Sequence, residues 1–151
     1  MQVKIVKPVT FFYHSVRTTV KELGNYVDVV ARDLYKEAAT HDILVTGPVY
    51  WQYIGFDGRE DTSFTLEIAL PVEGQKPGYS GKYVFKQTDA YKCLSTVHEG
   101  PWPEIPQTYG RLFDYIGRHR LRPTGTNREV YLNFNFQEPA SNVTEIQIGL
   151  E

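Results

Sequence analysis

The run from Asn127 to Glu151, NREVYLNFNFQEPASNVTEIQIGLE, decides how this chain is read. Its spacing predicts two strands joined by a short loop over Glu138, Pro139, Ala140, Ser141 and Asn142. In the first strand Val130, Leu132, Phe134 and Phe136 alternate with Glu129, Tyr131, Asn133 and Asn135. Side chains alternate faces along a strand, so one row is apolar and the other polar. The second strand sets Ile146, Ile148 and Leu150 against Glu145 and Gln147. Paired antiparallel, the hairpin is expected to give one apolar face to helices and one face carrying Glu129, Tyr131 and Glu145. Two carboxylates and a phenol among strand formers are unusual for a plain solvent face. That face reads as half of a ligand pocket.

Working back from the hairpin, the same pattern occurs twice. Val9 to Thr18 is dense in β-branched and aromatic residues and reads as a strand. Glu22 to Ala39 reads as a helix, with Val27, Val30, Ala31, Leu34 and Ala38 at helical spacing. Strands follow over Val49–Ile54 and Phe64–Val72, separated by the Asp57-Gly58 turn signal. The Pro/Gly-rich stretch 74–81 reads as a linker between halves of about 1–73 and 82–151. The pattern then restarts with a strand over Ala90–His98 and a helix over Glu104–Arg118, whose stripe is Ile105, Tyr109, Leu112, Phe113 and Ile116. Thr46-Gly47 recurs as Thr124-Gly125, an offset of 78 residues (124 minus 46). The same offset takes Tyr53 to Tyr131, Glu67-Ile68 to Glu145-Ile146, Leu34 to Leu112 and His41 to His119. A constant offset through helix, turn and hairpin implies an internal duplication. The expected fold is therefore α+β: two strand-helix-strand-strand units about a pseudo-twofold axis, with a cleft walled by Trp51, Tyr53, Glu67, Glu129, Tyr131 and Glu145.

Composition bounds the function classes. At 151 residues the chain is long enough for one domain with its own core. A net charge of -2 gives no footing for nucleic acid or an anionic membrane as partner. The local basic run Arg118, His119, Arg120, Arg122 fits a solvated helix end, where cations favour the dipole. The single Cys93 excludes an internal disulfide, and no Cys/His zinc spacing can be written. The first residues, MQVKIVKPVTFFYHS, hold no long apolar run of the signal-peptide or membrane-span kind. The Asn142-Val143-Thr144 sequon is then accidental. No cofactor or metal is expected: Asp57, Glu60 and Asp61 lack calcium-loop spacing, and Gly78-Tyr79-Ser80-Gly81 is no phosphate loop. The composition fits a cytoplasmic protein, a monomer or weak homodimer.

The runs Tyr91 to Trp102 (YKCLSTVHEGPW), Tyr109 to Ile116 (YGRLFDYI), Arg128 to Phe134 (REVYLNF) and Val143 to Leu150 (VTEIQIGL) resemble the GyrI-like small-molecule-binding domain. That domain is also the AraC-type effector-binding domain and the C-terminal sensor of multidrug-responsive regulators. The resemblance implies a tandem of strand-helix-strand-strand units. It implies a ligand site in which Glu129 lies at the floor of an aromatic pocket for cationic, often planar molecules, with Tyr131 beside it and Glu145 as a second acid. Some stand-alone members are similar to hydrolases that open strained rings with a glutamate as general base, and others to gyrase modulators. The domain uses almost all of this chain, so a DNA-binding segment is not expected.

The candidate ligand residues are Trp51, Tyr53, Glu67, Trp102, Tyr109, Phe113, Glu129, Tyr131 and Glu145. A buried Glu favours its neutral form unless a positive charge is near, and a cationic ligand supplies that charge. Aromatic faces add cation–π attraction of roughly 0.5–2 kcal/mol. Trp51, Trp102, Tyr109 and Phe113 are also natural packing residues. His98-Glu99 has no Ser or Cys nucleophile placed beside it by motif, so His98 reads as structural. Cys93 reads as a small buried hydrophobe. Binding of amphipathic aromatic cations is the leading expectation. A hydrolase with Glu129 as base and a protein-interaction role are the alternatives.

Overall fold

The computed structural model describes all residues from Met1 to Glu151. Strands β1 (Gln2–Val6), β2 (Thr10–Thr18), β3 (Tyr50–Ile54), β4 (Phe64–Val72), β5 (Val84–Gln87), β6 (Tyr91–Glu99), β7 (Pro123–Asn133) and β8 (Val143–Leu150) form one sheet. Helix α1 (Val29–Thr40) connects β2 to β3, and α2 (Ile105–Arg118) connects β6 to β7. The sheet order is β1-β6-β8-β7-β3-β4-β2-β5, with every neighbouring pair antiparallel. The α+β class is as expected. Neither helix is long and apolar enough to cross a membrane.

Each helix buries its apolar stripe on the same face of the sheet. Leu34 and Ala38 of α1 sit on Phe12, Leu66, Ile68 and Leu70. Leu112, Ile105 and Ile116 of α2 sit on Leu94, Ile146 and Ile148. Between these two cores run β3 and β7, the middle pair of the sheet, where Trp51 stands directly opposite Glu129.

The structure departs from the expected elements in four places. Two edge strands were not foreseen, because both are short. β1 pairs with β6 and β5 with β2, so each edge strand completes the sheet beside the far half of the sequence. The expected helix from Glu22 is split: Val20–Asn25 is a 3-10 turn, and α1 starts only at Val29, after Asp28 at φ 63. Gly24 and Asn25 are weak helix formers, and a left-handed residue cannot continue a right-handed helix. The β7 strand ends at Asn133 after a register shift near Tyr131, so Phe134 and Phe136 leave the ladder.

The fourth difference concerns faces. Residues directly opposite in an antiparallel pair share a face, and Glu129 pairs with Ile146 while Val130 pairs with Glu145. The polar row of β7 therefore lies with the apolar row of β8. In β4, Glu67 pairs with Gln52 and points away from Trp51, which pairs with Ile68. Glu67 and Glu145 are thus on the face opposite Glu129 and do not wall a common cleft with it. A shift of one residue moves a whole row to the other face, and row polarity alone does not fix that phase.

The offset of 78 reappears in the ladders, since Trp51 pairs with Ile68 and Glu129 with Ile146. The offset changes to 82 in the first long strand of each half, where Phe12 pairs with Leu70 and Leu94 with Ile148 (94 minus 12).

Candidate functional site

A cleft of about 1010 Å³ opens on the helix face, between α1 and α2 and above β3 and β7. Small-molecule sites run to about 300–1000 Å³, so this one is at the large end. Val49, Trp51 and Tyr53 from β3 and Asn127, Glu129 and Tyr131 from β7 form its floor. Tyr109, Gly110 and Phe113 form one wall, and Val27 and Ala31 the other. The split ahead of α1 turns Val20 and Leu23 into the cleft as well.

Glu129 is the centre of the site. It is 6% exposed, and three phenols donate to its carboxylate. Tyr109 Oη reaches Oε1 at 2.9 Å, while Tyr131 Oη at 2.5 Å and Tyr53 Oη at 3.3 Å reach Oε2. Burial pushes the Glu129 carboxyl above its usual range, and the three phenols pull it back only in part. The phenols themselves are pushed well above their usual range, first by burial and then by the Glu129 charge, so they remain donors. Hydrogen bonds to a charged group are worth roughly 1.5–3 kcal/mol each. Three of them are of the size needed to hold a buried ion, whose desolvation costs several kcal/mol. None of them supplies a positive charge. No Lys, Arg or His lines the cleft, whereas Asp28, Asp57, Glu60 and Glu129 do.

Aromatic rings lead from the floor to the mouth. Trp51 meets Tyr131 edge-on at 6.0 Å between centroids, and Tyr131 meets Trp102 at 5.5 Å. Beyond them Trp102 touches Phe136 at 5.7 Å and Phe134 at 6.2 Å. Phe113, Phe134 and Phe136 are 43%, 43% and 56% exposed, which is high for such side chains, and all three line the cleft. Trp102 Nε1 is buried without a partner.

Of the nine candidate residues, Trp51, Tyr53, Trp102, Tyr109, Phe113, Glu129 and Tyr131 come together around one cleft. Glu67 and Glu145 do not. Glu67 binds Lys86 at 2.6 Å and Gln52 at 2.7 Å on the far face. Glu145 is bound there by Lys4 at 2.6 Å, Ser95 at 2.7 Å and Gln147 at 2.9 Å. Burial alone would push Glu145 up, but these three partners hold it below the usual carboxylate range. Its acid is already neutralised. His98 is 6% exposed: its Nδ1 meets Thr108 Oγ1 at 2.8 Å and its Nε2 meets Pro101 O at 3.2 Å. Pro101 O can only accept, so His98 Nε2–H is the donor there, and Arg111 also donates to Thr108 Oγ1. His98 thereby fixes the loop that presents Trp102. Cys93 is fully buried, and burial pushes its thiol up to about 11.

Phe134, Phe136 and Asn127 were missed as cleft residues. Phe134 and Phe136 read as continuing an apolar strand row. The signal for the strand's end was Asn135, whose Oδ1 accepts from the backbone N–H of Gln137 and Glu138 in an Asx-type turn.

No curated protein is a detectable relative of the sequence. Among solved structures, EcmrR in a DNA complex is 18% identical with a TM-score of 0.80, over 99% of this chain and 56% of that one. This chain thus spans little more than half of EcmrR, and it matches the separate EcmrR C-terminal domain over 96% of that chain at a TM-score of 0.79. SAV2435 bound to tetraphenylphosphonium is 14% identical with a TM-score of 0.69, over 99% and 93% of the two chains. A hydrolase from Listeria innocua is 13% identical with a TM-score of 0.72, over 99% and 91%. At these identities the likenesses show the fold. The family's own sequence model matches residues 1–151, and the chain belongs to the GyrI-like small-molecule-binding domain family.

Proposed function

We propose that this chain binds amphipathic aromatic cations in the cleft above β3 and β7, acting as a receptor or sequestering protein. One observation carries the reading: a carboxylate 6% exposed, ringed by three phenols, in a cleft that no basic side chain lines. A buried anion without a counter-charge is a site whose missing partner is a cation. The aromatic path from Trp51 through Tyr131 and Trp102 offers the faces such a cation prefers, worth roughly 0.5–2 kcal/mol each. The solved complex of SAV2435 with tetraphenylphosphonium supplies the probe. Titration calorimetry with tetraphenylphosphonium is expected to give saturable binding by the wild type. Glu129→Gln is expected to weaken it by at least about tenfold, or 1.4 kcal/mol, with an unchanged circular dichroism spectrum. Wild-type protein that ignores tetraphenylphosphonium and related cations such as rhodamine would overturn the reading.

A second reading, hydrolysis with Glu129 as general base, draws on the same raised carboxyl, since a stronger base takes a proton from water more readily. Turnover of a strained-ring or activated-ester substrate, lost in Glu129→Gln, would favour it over simple binding. We further infer that the offset of 78 records an internal duplication with halves near 1–73 and 82–151.

A further inference from the structure

Resting on the cation-binding reading of the same cleft, we propose that it selects ligands with two cationic centres. One is held over Glu129 and the other at the Asp57–Glu60 turn, with the stretch between them passing Asn127. The cleft is asymmetric along β7. From Glu129 toward Tyr131 it is aromatic, with Trp102, Phe134 and Phe136. In the other direction it runs past Asn127 and Tyr53 to Gly125 and then to Phe56 and the turn after β3, where the acids Asp57 and Glu60 line it. Gly125, at φ 87, accepts a hydrogen bond from Gly55 N at 2.9 Å, which sets the Asp57–Glu60 turn beside that end of β7.

Asn127 is the independent observation. It lines the cleft and is 4% exposed, yet its Oδ1 has no hydrogen-bond partner. Buried amide groups are paired in the great majority of cases, so an unpaired one on a cleft floor points to a ligand group as its partner. An amide oxygen next to Glu129 suits an N–H donor of a cationic or polar chain. At the turn, Asp57 and Glu60 are exposed and line the cleft. Asp57 Oδ1 accepts only the backbone N–H of Arg59, and neither carboxylate has an ion-pair partner. The other acids nearby are taken: Asp28 binds Arg32, and Asp61 binds Lys21 at 3.0 Å. Arg59 does not line the cleft. A strand rises about 3.4 Å per residue, so Asn127 is about 7 Å and Gly125 about 14 Å along from Glu129. A rigid aromatic dication with centres about 14 Å apart spans that distance.

The test is titration of the full chain with the bis-amidine dye DAPI and with its counterpart in which one amidine is a carboxamide. Wild type is expected to bind the dication about three- to tenfold more tightly, the scale of one or two exposed ion pairs. Asp57→Asn with Glu60→Gln removes that preference and leaves the mono-amidine within about twofold. Asn at position 57 can still cap the turn, so the double variant keeps its fold. Asn127→Val, the residue type at the matching position 49, is expected to weaken the dication more than the mono-amidine. Glu129→Gln weakens both. Equal wild-type affinity for the two dyes, or equal loss of both in the turn variant, would overturn the two-centre proposal while leaving the cation reading intact. Failure of both dyes to bind wild type would overturn the two-centre proposal and the cation reading together.

Discussion

Glu129 sits where the sheet's core-facing side would ordinarily carry a hydrophobe, between Trp51 on β3 and Ile146 on β8. Its behaviour with pH follows from that position. Burial raises its folded-state pKa above the usual carboxyl value of 4.5. Between that value and the raised one, the folded chain binds more protons than the unfolded one, so stability falls as pH rises across the window. Glu129→Gln is expected to remove this loss, which thermal denaturation at several pH values would show. The same ionisation should raise affinity for tetraphenylphosphonium, a permanent cation, as pH climbs through the window. Glu129→Gln should flatten that rise, and a wild-type affinity independent of pH would contradict it. Glu145 has the opposite sign. Its folded pKa is lowered, so its contribution is present above 4.5 and is lost as pH falls through the lowered value.

At the scale of elements, α2 and the end of β7 separate packing from binding. Leu112 is fully buried under α2, and Leu112→Ala is expected to cost about 2–5 kcal/mol of stability, measurable by urea denaturation. Phe134 and Phe136 lie past the β7 bulge and are half exposed, so their replacement by Ala should hardly move the urea midpoint while weakening aromatic cations several-fold. An equal stability loss for Phe136→Ala and Leu112→Ala would return Phe136 to the core. The contrast shows what was legible in the sequence. Periodicity located α2, β2, β3, β4 and β8, because long regular alternation reports burial directly. It missed β1 and β5, which are short edge strands. It also carried the β7 alternation past Asn133, where an Asx turn at Asn135 had ended the ladder. Glu129, Tyr131, Trp51 and Tyr53 were legible as one group because the offset of 78 set them side by side. The phase of Glu67 and Glu145 was not, because two polar rows look alike until pairing assigns their faces.

For the whole molecule, the sheet separates two kinds of acid. On the helix face Glu129 has donors but no cation. On the far face Glu67 and Glu145 are each matched by a lysine from an edge strand, Lys86 on β5 and Lys4 on β1. These pairs tie each edge strand to the half it completes, and between them Arg128 stacks on Tyr91 at 3.8 Å and donates to Gln52 at 2.7 Å. Glu67→Gln is therefore expected to lower stability by about 1–3 kcal/mol in urea denaturation and to leave cation affinity unchanged. A loss of affinity with no loss of stability would restore Glu67 to the ligand site. The central claim is that the buried acid between the two cores is the anchor for a cation. A crystal structure of the chain grown with tetraphenylphosphonium tests it most directly. The phosphonium is expected within about 6 Å of the Trp51, Tyr131 or Trp102 ring and facing the Glu129 carboxylate. An ordered cation on the Glu67–Glu145 face, or an empty cleft at saturating ligand, would contradict it.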